Sequence, residues 1–156
     1  METITADEPV RCPTKAIGAL IEPALAKLTS GGTLTLRVPS EIVGVENAVG
    51  LEQTVRFHVL HARDAGNLND VLVIGWEPQG PHVTPEFHGI LSYDADVDAS
   101  SSTLTLSGTY TPPGGVLGEA FDAALGFWVA RATVHDLLRR IARQIEALHT
   151  GTAVPS

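Results

Sequence analysis

The sequence has a single cysteine, few basic residues and no long apolar run. Cys12 alone cannot form an internal disulfide or build a cysteine zinc site. Ten Lys and Arg against 18 Asp and Glu give a net charge of −8 at pH 7, which disfavours nucleic acid or an anionic membrane as partner. No stretch approaches the ~18 uninterrupted apolar residues of a membrane span. The acidic first residues lack the features of a secretory signal. We expect a cytoplasmic protein with no integral membrane segment and no nucleic-acid partner.

The six histidines do not follow a metal-binding pattern. None belongs to an HExxH motif, and none pairs with a second histidine at helical spacing on a predicted helix. His58 and His88 fall on strand faces that are predicted to point outward. These observations favour surface histidines over metal ligands.

Two further candidate sites also lack the residues that their chemistry needs. Asp94, Asp96 and Asp98 alternate at a strand end without the glycine and distal glutamate of an EF-hand, which favours a solvated edge. The Pro-Pro-Gly-Gly run at 112–115 lacks the Gly-Lys-Ser/Thr ending of a P-loop and is typical of a sharp turn before a helix. We therefore expect no metal and no cofactor.

What the sequence does contain is enough apolar material for one globular domain. Its 156 residues are 44% hydrophobic, and no internal repeat or linker divides them. We predict a single domain over residues 1–149 and a short disordered tail over 150–156.

The middle of the chain is dominated by strand patterns. A weak strand signal near Glu2–Thr5 precedes two short helices that are predicted to meet at Pro23. Residues 40–50 fit either an edge strand or a loop. Alternating or continuous apolar residues predict strands at Thr33–Val38, Thr54–Ala62, Val71–Trp76, Glu86–Val97 and Thr103–Tyr110.

One long helix is predicted from the end of the Pro/Gly turn to about His149. Its apolar stripe consists of Ala120, Ala123, Phe127, Ala130, Val134, Leu137, Leu138, Ile141, Ile145 and Leu148. Its front half carries a second apolar face, with Phe121 and Trp128 as the largest members. There are three interpretations of this second face: other parts of the chain cover it, it is a dimer interface, or it forms the wall of a ligand cavity. Four arginines between 131 and 143 indicate a solvated face.

The element order is α+β, with strands grouped in the middle and helices at the ends. It resembles the helix-grip fold of the START-like superfamily, also called SRPBCC. The resemblance is most specific in the Leu104–Gly118 segment followed by Asp122 and Ala130–Leu138. A second matching piece is Trp76 followed, after a turn, by Pro85–Leu91.

The resemblance implies a curved antiparallel sheet of about six or seven strands that wraps around the C-terminal helix, with a cavity between them. Such cavities hold lipids, polyketides and other apolar molecules, and members of the superfamily share no catalytic residue. Aromatic and apolar residues predicted to face this space give the candidate ligand site: Trp76, Phe87, Leu91, Tyr93, Tyr110, Phe127 and Val134.

The first functional expectation is therefore a monomeric or homodimeric protein that binds an apolar or amphipathic small molecule. One alternative is a cyclase/dehydratase-type enzyme with Tyr93, Tyr110 or His135 as acid or base. The sequence gives no catalytic assignment, and binding without catalysis is favoured because no histidine–carboxylate pair shares an inward face. The other alternative is a protein-interaction module that uses the Phe121/Trp128 face.

Overall fold

A computed structural model of the chain provides the structure. It describes residues 2–38, 51–63, 70–79, 86–97, 100–111 and 123–151.

The described chain is a seven-stranded antiparallel sheet with two helices. The strands follow the order β1-β7-β6-β5-β4-β3-β2, so the first strand pairs with the last. The elements are β1 (Glu2–Val10), α1 (Thr14–Leu28), β2 (Thr29–Ser30), β3 (Thr33–Val38), β4 (Leu51–Arg63), β5 (Asp70–Pro78), β6 (Glu86–Ala95), β7 (Ser102–Thr111) and α2 (Ala123–Thr150). The α+β class and the helix-grip arrangement expected from the sequence are confirmed.

Strand alternation decides which side chains enter the core. In β7 the buried residues Ser102, Leu104 and Leu106 alternate with half-buried threonines. In β1 the buried side chains of Ile4 and Ala6 alternate with exposed neighbours. Successive side chains of a strand point to opposite faces, so one face of the sheet is apolar and requires a cover.

Helix α2 provides most of that cover. It packs on β1, β3, β7 and α1. Six residues of the predicted stripe are buried, Phe127 and Leu148 are partly buried against the same core, and the side chains of Ala120 and Ala123 lie outside the described residues. The buried members are Ala130, Val134, Leu137, Leu138, Ile141 and Ile145.

Helix α1 differs from the sequence prediction. One helix runs continuously from Thr14 to Leu28 with Pro23 inside it, where two short helices were expected. A proline in a helix leaves the carbonyl four residues earlier without its N–H partner. Pro23 and Ala19 are both exposed, so water can solvate that carbonyl, and the buried residues Ile17 and Ala24 keep both halves on the core.

The arginines of α2 are less uniformly solvated than their spacing suggests. Arg140 is half-buried, and its Nη1 donates a 2.7 Å hydrogen bond to the carbonyl oxygen of Thr35 in β3. Burial lowers the pKa of the Arg140 guanidinium from its usual value, an effect that the nearby Asp136 carboxylate opposes. Arg131 and Arg139 are exposed, as predicted.

Several sequence expectations concern parts of the chain that lie outside the described residues. These are the ambiguous segment 40–50, His82, Asp98, the 112–115 turn, Phe121 and residues 152–156. Among the described residues, no helix is both long enough and apolar enough to cross a membrane.

Candidate functional site

A row of four aromatic residues crosses the inner face of the sheet. Phe57 of β4 pairs with Trp76 of β5, Trp76 with Phe87 of β6, and Phe87 with Tyr110 of β7. The rings of Trp76 and Phe87 are stacked, with centroids 4.5 Å apart. Cross-strand neighbours on one face lie about 4.5–5.5 Å apart, so the four residues form one continuous aromatic surface. We call it the aromatic row.

The structure brings some of the predicted ligand residues together and separates others. Trp76, Phe87 and Tyr110 are buried in the aromatic row. Leu91, four positions along β6 from Phe87, is buried between Leu72 and Leu106 on the neighbouring strands. Val134 is buried on α2, and Phe127 is partly exposed at the border of the core.

Tyr93 lies at the opposite end of the sheet from the aromatic row. Six positions along β6 separate it from Phe87, which is about 20 Å at 3.3 Å per residue. Its hydroxyl lies against α1, 3.2 Å from where a Cβ at Gly18 would sit. Tyr93 therefore packs under α1 and does not share a site with Trp76 and Phe87.

Phe57 was not among the predicted ligand residues, although the strand pattern places it inward. It borders a groove of about 220 Å³ between the end of α1 and the β3–β4 region. Leu25, Thr29, Gly32 and Val59 form other parts of its lining. The groove gives one end of the aromatic row contact with the surface. A signal was present in the alternation of Val55, Phe57 and Val59, but only the register shows that Phe57 adjoins Trp76.

A second groove, of about 470 Å³, separates β1 from α2. Its lining includes Thr5, Asp7, Trp128, Arg131 and His135. Trp128 is 54% exposed. The guanidinium carbon of Arg131 lies 5.8 Å from the centre of the Trp128 ring, within cation–π range.

Glu8 of β1 contacts α2 next to this groove. Its carboxylate is buried and accepts a 2.6 Å hydrogen bond from Arg143 Nη2, while His135 Nε2 lies 3.4 Å from its other oxygen. Arg143 also bonds Glu146, and that hydrogen bond raises the pKa of the Arg143 guanidinium. This histidine–carboxylate pair is not apparent from the sequence, because the two residues are far apart along the chain and meet only through β1–α2 packing.

Asp96, in the acidic segment at the end of β6, has a structural role. The Asp96 carboxylate accepts hydrogen bonds from Ser101 Oγ at 2.9 Å and Thr103 Oγ1 at 2.7 Å. Its backbone N–H also donates to the Ser101 carbonyl oxygen at 3.1 Å. These bonds stabilise the β6–β7 connection, as side-chain turn bonds of aspartate commonly do.

This arrangement of an antiparallel sheet and a long covering helix is the helix-grip fold. A solved structure from Thermus thermophilus, TTHA0849, is similar with a TM-score of 0.52 and 15% identity over 94% of this chain and 99% of that one. The ZhuI aromatase/cyclase from Streptomyces sp. R1128 is similar with a TM-score of 0.51 and 14% identity, over 97% of this chain and 99% of that one. No family model and no curated protein matches the sequence.

Proposed function

We propose that the protein binds an apolar or amphipathic small molecule beside the aromatic row on the inner face of the sheet. The observation that carries the proposal is the uninterrupted line of Phe57, Trp76, Phe87 and Tyr110, one end of which reaches the α1–β4 groove. Small-molecule sites are mostly apolar and aromatic with a few placed polar groups. The likeness to an aromatase/cyclase adds support at the level of fold, as an analogy.

The ligand reaches the row from the Phe57 end. Trp76 and Phe87 are fully buried, whereas Phe57 is in contact with the groove. Leu25 on α1 and Val59 on β4 provide apolar walls there. The groove is smaller than the roughly 300–1,000 Å³ of drug-sized sites, so binding requires the end of α1 to move away from β4.

Tryptophan fluorescence tests this proposal because the two tryptophans have opposite environments. Trp76 is fully buried in the row, and Trp128 is more than half exposed. In a Trp128→Phe background, titration with fatty acids, sterols and aromatic polyketides is expected to change Trp76 emission for at least one class. At 100 times its dissociation constant, that compound stabilises the fold by about 2.7 kcal/mol.

Phe57→Ala and Leu60→Ala provide a matched pair of variants on β4. Phe57 faces the groove, whereas Leu60 is 66% exposed. We expect Phe57→Ala to weaken binding at least tenfold and Leu60→Ala to leave the dissociation constant unchanged. Melting curves without titrant show whether each variant is folded. The proposal fails if the whole panel produces neither an emission change nor a melting shift, or if both variants bind as the parent protein does.

The β1–α2 groove supports a second candidate, an acid–base enzyme of the cyclase type. The supporting observation is the 3.4 Å approach of Glu8 Oε2 to His135 Nε2 beside the exposed Trp128 ring. A carboxylate that holds one imidazole nitrogen orients the ring for proton transfer through the other. Here Arg139 Nη2 lies 3.4 Å from His135 Nδ1, so substrate must displace that side chain.

Turnover of an aromatic polyketide substrate tests this second candidate. We expect a bell-shaped dependence of kcat/KM on pH and its loss in His135→Gln, with the melting temperature little changed because His135 is half-exposed. Arg131→Gln, on the same groove wall, is expected to raise KM and leave the pH profile in place. Activity that survives in His135→Gln with an unchanged profile excludes this mechanism.

A further inference from the structure

The outer face of the sheet, opposite the aromatic row, carries two histidines on either side of a glycine. Gly75 of β5 pairs with His58 of β4 and with His88 of β6. Both histidines are exposed, as the sequence predicts. A strand-interior glycine weakens a sheet and often marks a place where another group approaches the backbone closely.

The space over Gly75 is bordered by ring nitrogens. A Cβ at this position would lie 2.6 Å from His58 Nε2 and 2.8 Å from His88 Nδ1. Both nitrogens therefore face the same small volume, which only the absence of a side chain leaves open. The rings are not stacked on each other, since their centroids are 5.8 Å apart and their planes are inclined by 35°.

Glu86 favours a tautomer of His88 that can bind a cation. Its Oε1 lies 2.8 Å from His88 Nε2. A carboxylate accepts a proton from that nitrogen, so the neutral ring carries its hydrogen on Nε2 and its lone pair on Nδ1. The lone pair then faces the space over Gly75. A carboxylate that orients a histidine from behind is the usual outer-shell arrangement of metal-binding imidazoles.

Two carboxylates lie next to His88. Among the residues whose side chains are described, Glu77, Glu86 and His88 form a group whose potential ligand atoms all lie within 4.8 Å of one another, and His58 lies outside that group. Arg56 of β4, paired with Glu77, is the nearest opposing charge identified by the strand register. It is exposed, and a divalent cation competes with it for the Glu77 carboxylate.

We propose that His58 and His88 bind a divalent metal ion such as zinc over Gly75, that the exposed Glu77 side chain turns towards the ion as a third ligand, and that Glu86 holds His88 in position. Imidazole nitrogens with one carboxylate suit zinc, copper or nickel, whereas magnesium and calcium prefer oxygen ligands alone. Tetrahedral zinc at 2.0–2.1 Å from each nitrogen places them about 3.3 Å apart. In the structure the two nitrogens lie 2.6 Å and 2.8 Å from one common point, and both side chains are exposed. The proposal departs from the sequence-based expectation of no metal, because the register that joins these residues is not visible in the sequence.

The ion would link strands β4, β5 and β6 on the outer face of the sheet. Trp76 follows Gly75 directly, and Phe87 precedes His88, so the inner-face aromatic pair is adjacent in sequence to this site. Because the metal binds only the folded state, in which β4, β5 and β6 are paired, it raises the free energy of unfolding. The proposal does not depend on the aromatic row having a ligand.

Isothermal titration calorimetry of the untagged protein with zinc at pH 7.5 tests the site. We expect one zinc ion to bind per chain, and we expect a titration with magnesium to release no heat of binding. His58→Ala and His88→Ala are each expected to weaken binding at least tenfold. Gly75→Ala is expected to do the same by occupying the space. Glu86→Gln is expected to weaken binding by about 10–100-fold, the range for outer-shell partners. His149→Ala, at an exposed position of α2, serves as the matched control and is expected to bind as the parent does.

Cobalt provides a second readout that distinguishes a built site from loose surface association. Co²⁺ in a site with two imidazoles is expected to give visible d–d absorption that His58→Ala and His88→Ala both remove. Circular dichroism of the metal-free variants confirms that they are folded. Absence of stoichiometric zinc binding overturns the proposal, and so does binding that His58→Ala and His88→Ala leave intact. Failure of the lipid and polyketide titrations has no bearing on either outcome.

Discussion

At the scale of single residues, Cys12 shows how position controls chemistry. The thiol is fully buried between β1 and α1, and its Sγ lies 3.6 Å from the Pro13 carbonyl oxygen. Burial raises the pKa of the Cys12 thiol, and the nearby Glu146 carboxylate raises it further. Since the thiolate is the reactive form, Cys12 is an inert residue of the core.

We expect Cys12 to react slowly with Ellman's reagent at pH 8 in the native protein and rapidly in denaturant. A Cys12→Ala/Ala26→Cys variant moves the thiol to an exposed position of α1 and is expected to react at the rate of a free thiol. The absorbance of the thiolate that the reagent releases gives the reaction rates of the native and the denatured protein. Equal rates for native and denatured protein would contradict the buried placement.

At the scale of elements, the α2 stripe carries much of the core. Leu138 is fully buried, and its sequence neighbour Arg139 is exposed. Leu138→Ala removes buried volume and is expected to lower the free energy of unfolding by about 2–5 kcal/mol. Arg139→Ala, one position along the helix, is expected to change it by no more than about 0.5 kcal/mol. Urea titrations give both values, and similar losses for the two variants would show that the stripe is wrongly assigned.

The elements that were predicted well from the sequence are those in which apolar residues recur at a regular spacing. The alternation at Thr33–Val38 gave the bounds of β3 as observed, and the stripe of α2 was correct wherever its side chains are described. The prediction at Pro23 was wrong because the local cost of an interior proline, a lost hydrogen bond and a steric clash, is outweighed by packing on the core. Here the surrounding surface is solvated and the packing of Ile17 and Ala24 maintains the helix.

The candidate sites were harder to predict because they depend on cross-strand register. Trp76 and Phe87 were identified from their inward positions, but Phe57 joins them only through the β4–β5 pairing. His58 and His88 were correctly placed on the outside, yet their common approach to Gly75 has no signature in sequence spacing. Glu8 and His135 meet for the same kind of reason, through a helix that packs on a distant strand.

At the scale of the whole molecule, the described core is one connected cluster. It extends from Ile4 on the first strand to Ile145 on the last helix and includes residues of β1, α1, β3 to β7 and α2. A single core of this size is typical of cooperative unfolding without populated intermediates.

We therefore expect one thermal transition in a Trp128→Phe variant, with the same midpoint by far-ultraviolet circular dichroism and by Trp76 fluorescence. The first probe reports helix and strand content, and the second reports the aromatic row on strands β4 to β7. Two separate midpoints would show that the sheet and the covering helices lose structure independently.

The pairing of β1 with β7 also has a consequence for synthesis. The ribosome releases β1 first, but Glu2 pairs with Tyr110 and Glu8 contacts Arg143, both of which emerge about a hundred or more residues later. Until then Ile4, Ala6 and Val10 have neither their neighbouring strand nor the helix that covers them. Distant pairings of this kind slow folding and expose apolar segments in the meantime. The sheet and its apolar face therefore stay incomplete until β7 and α2 have left the ribosome.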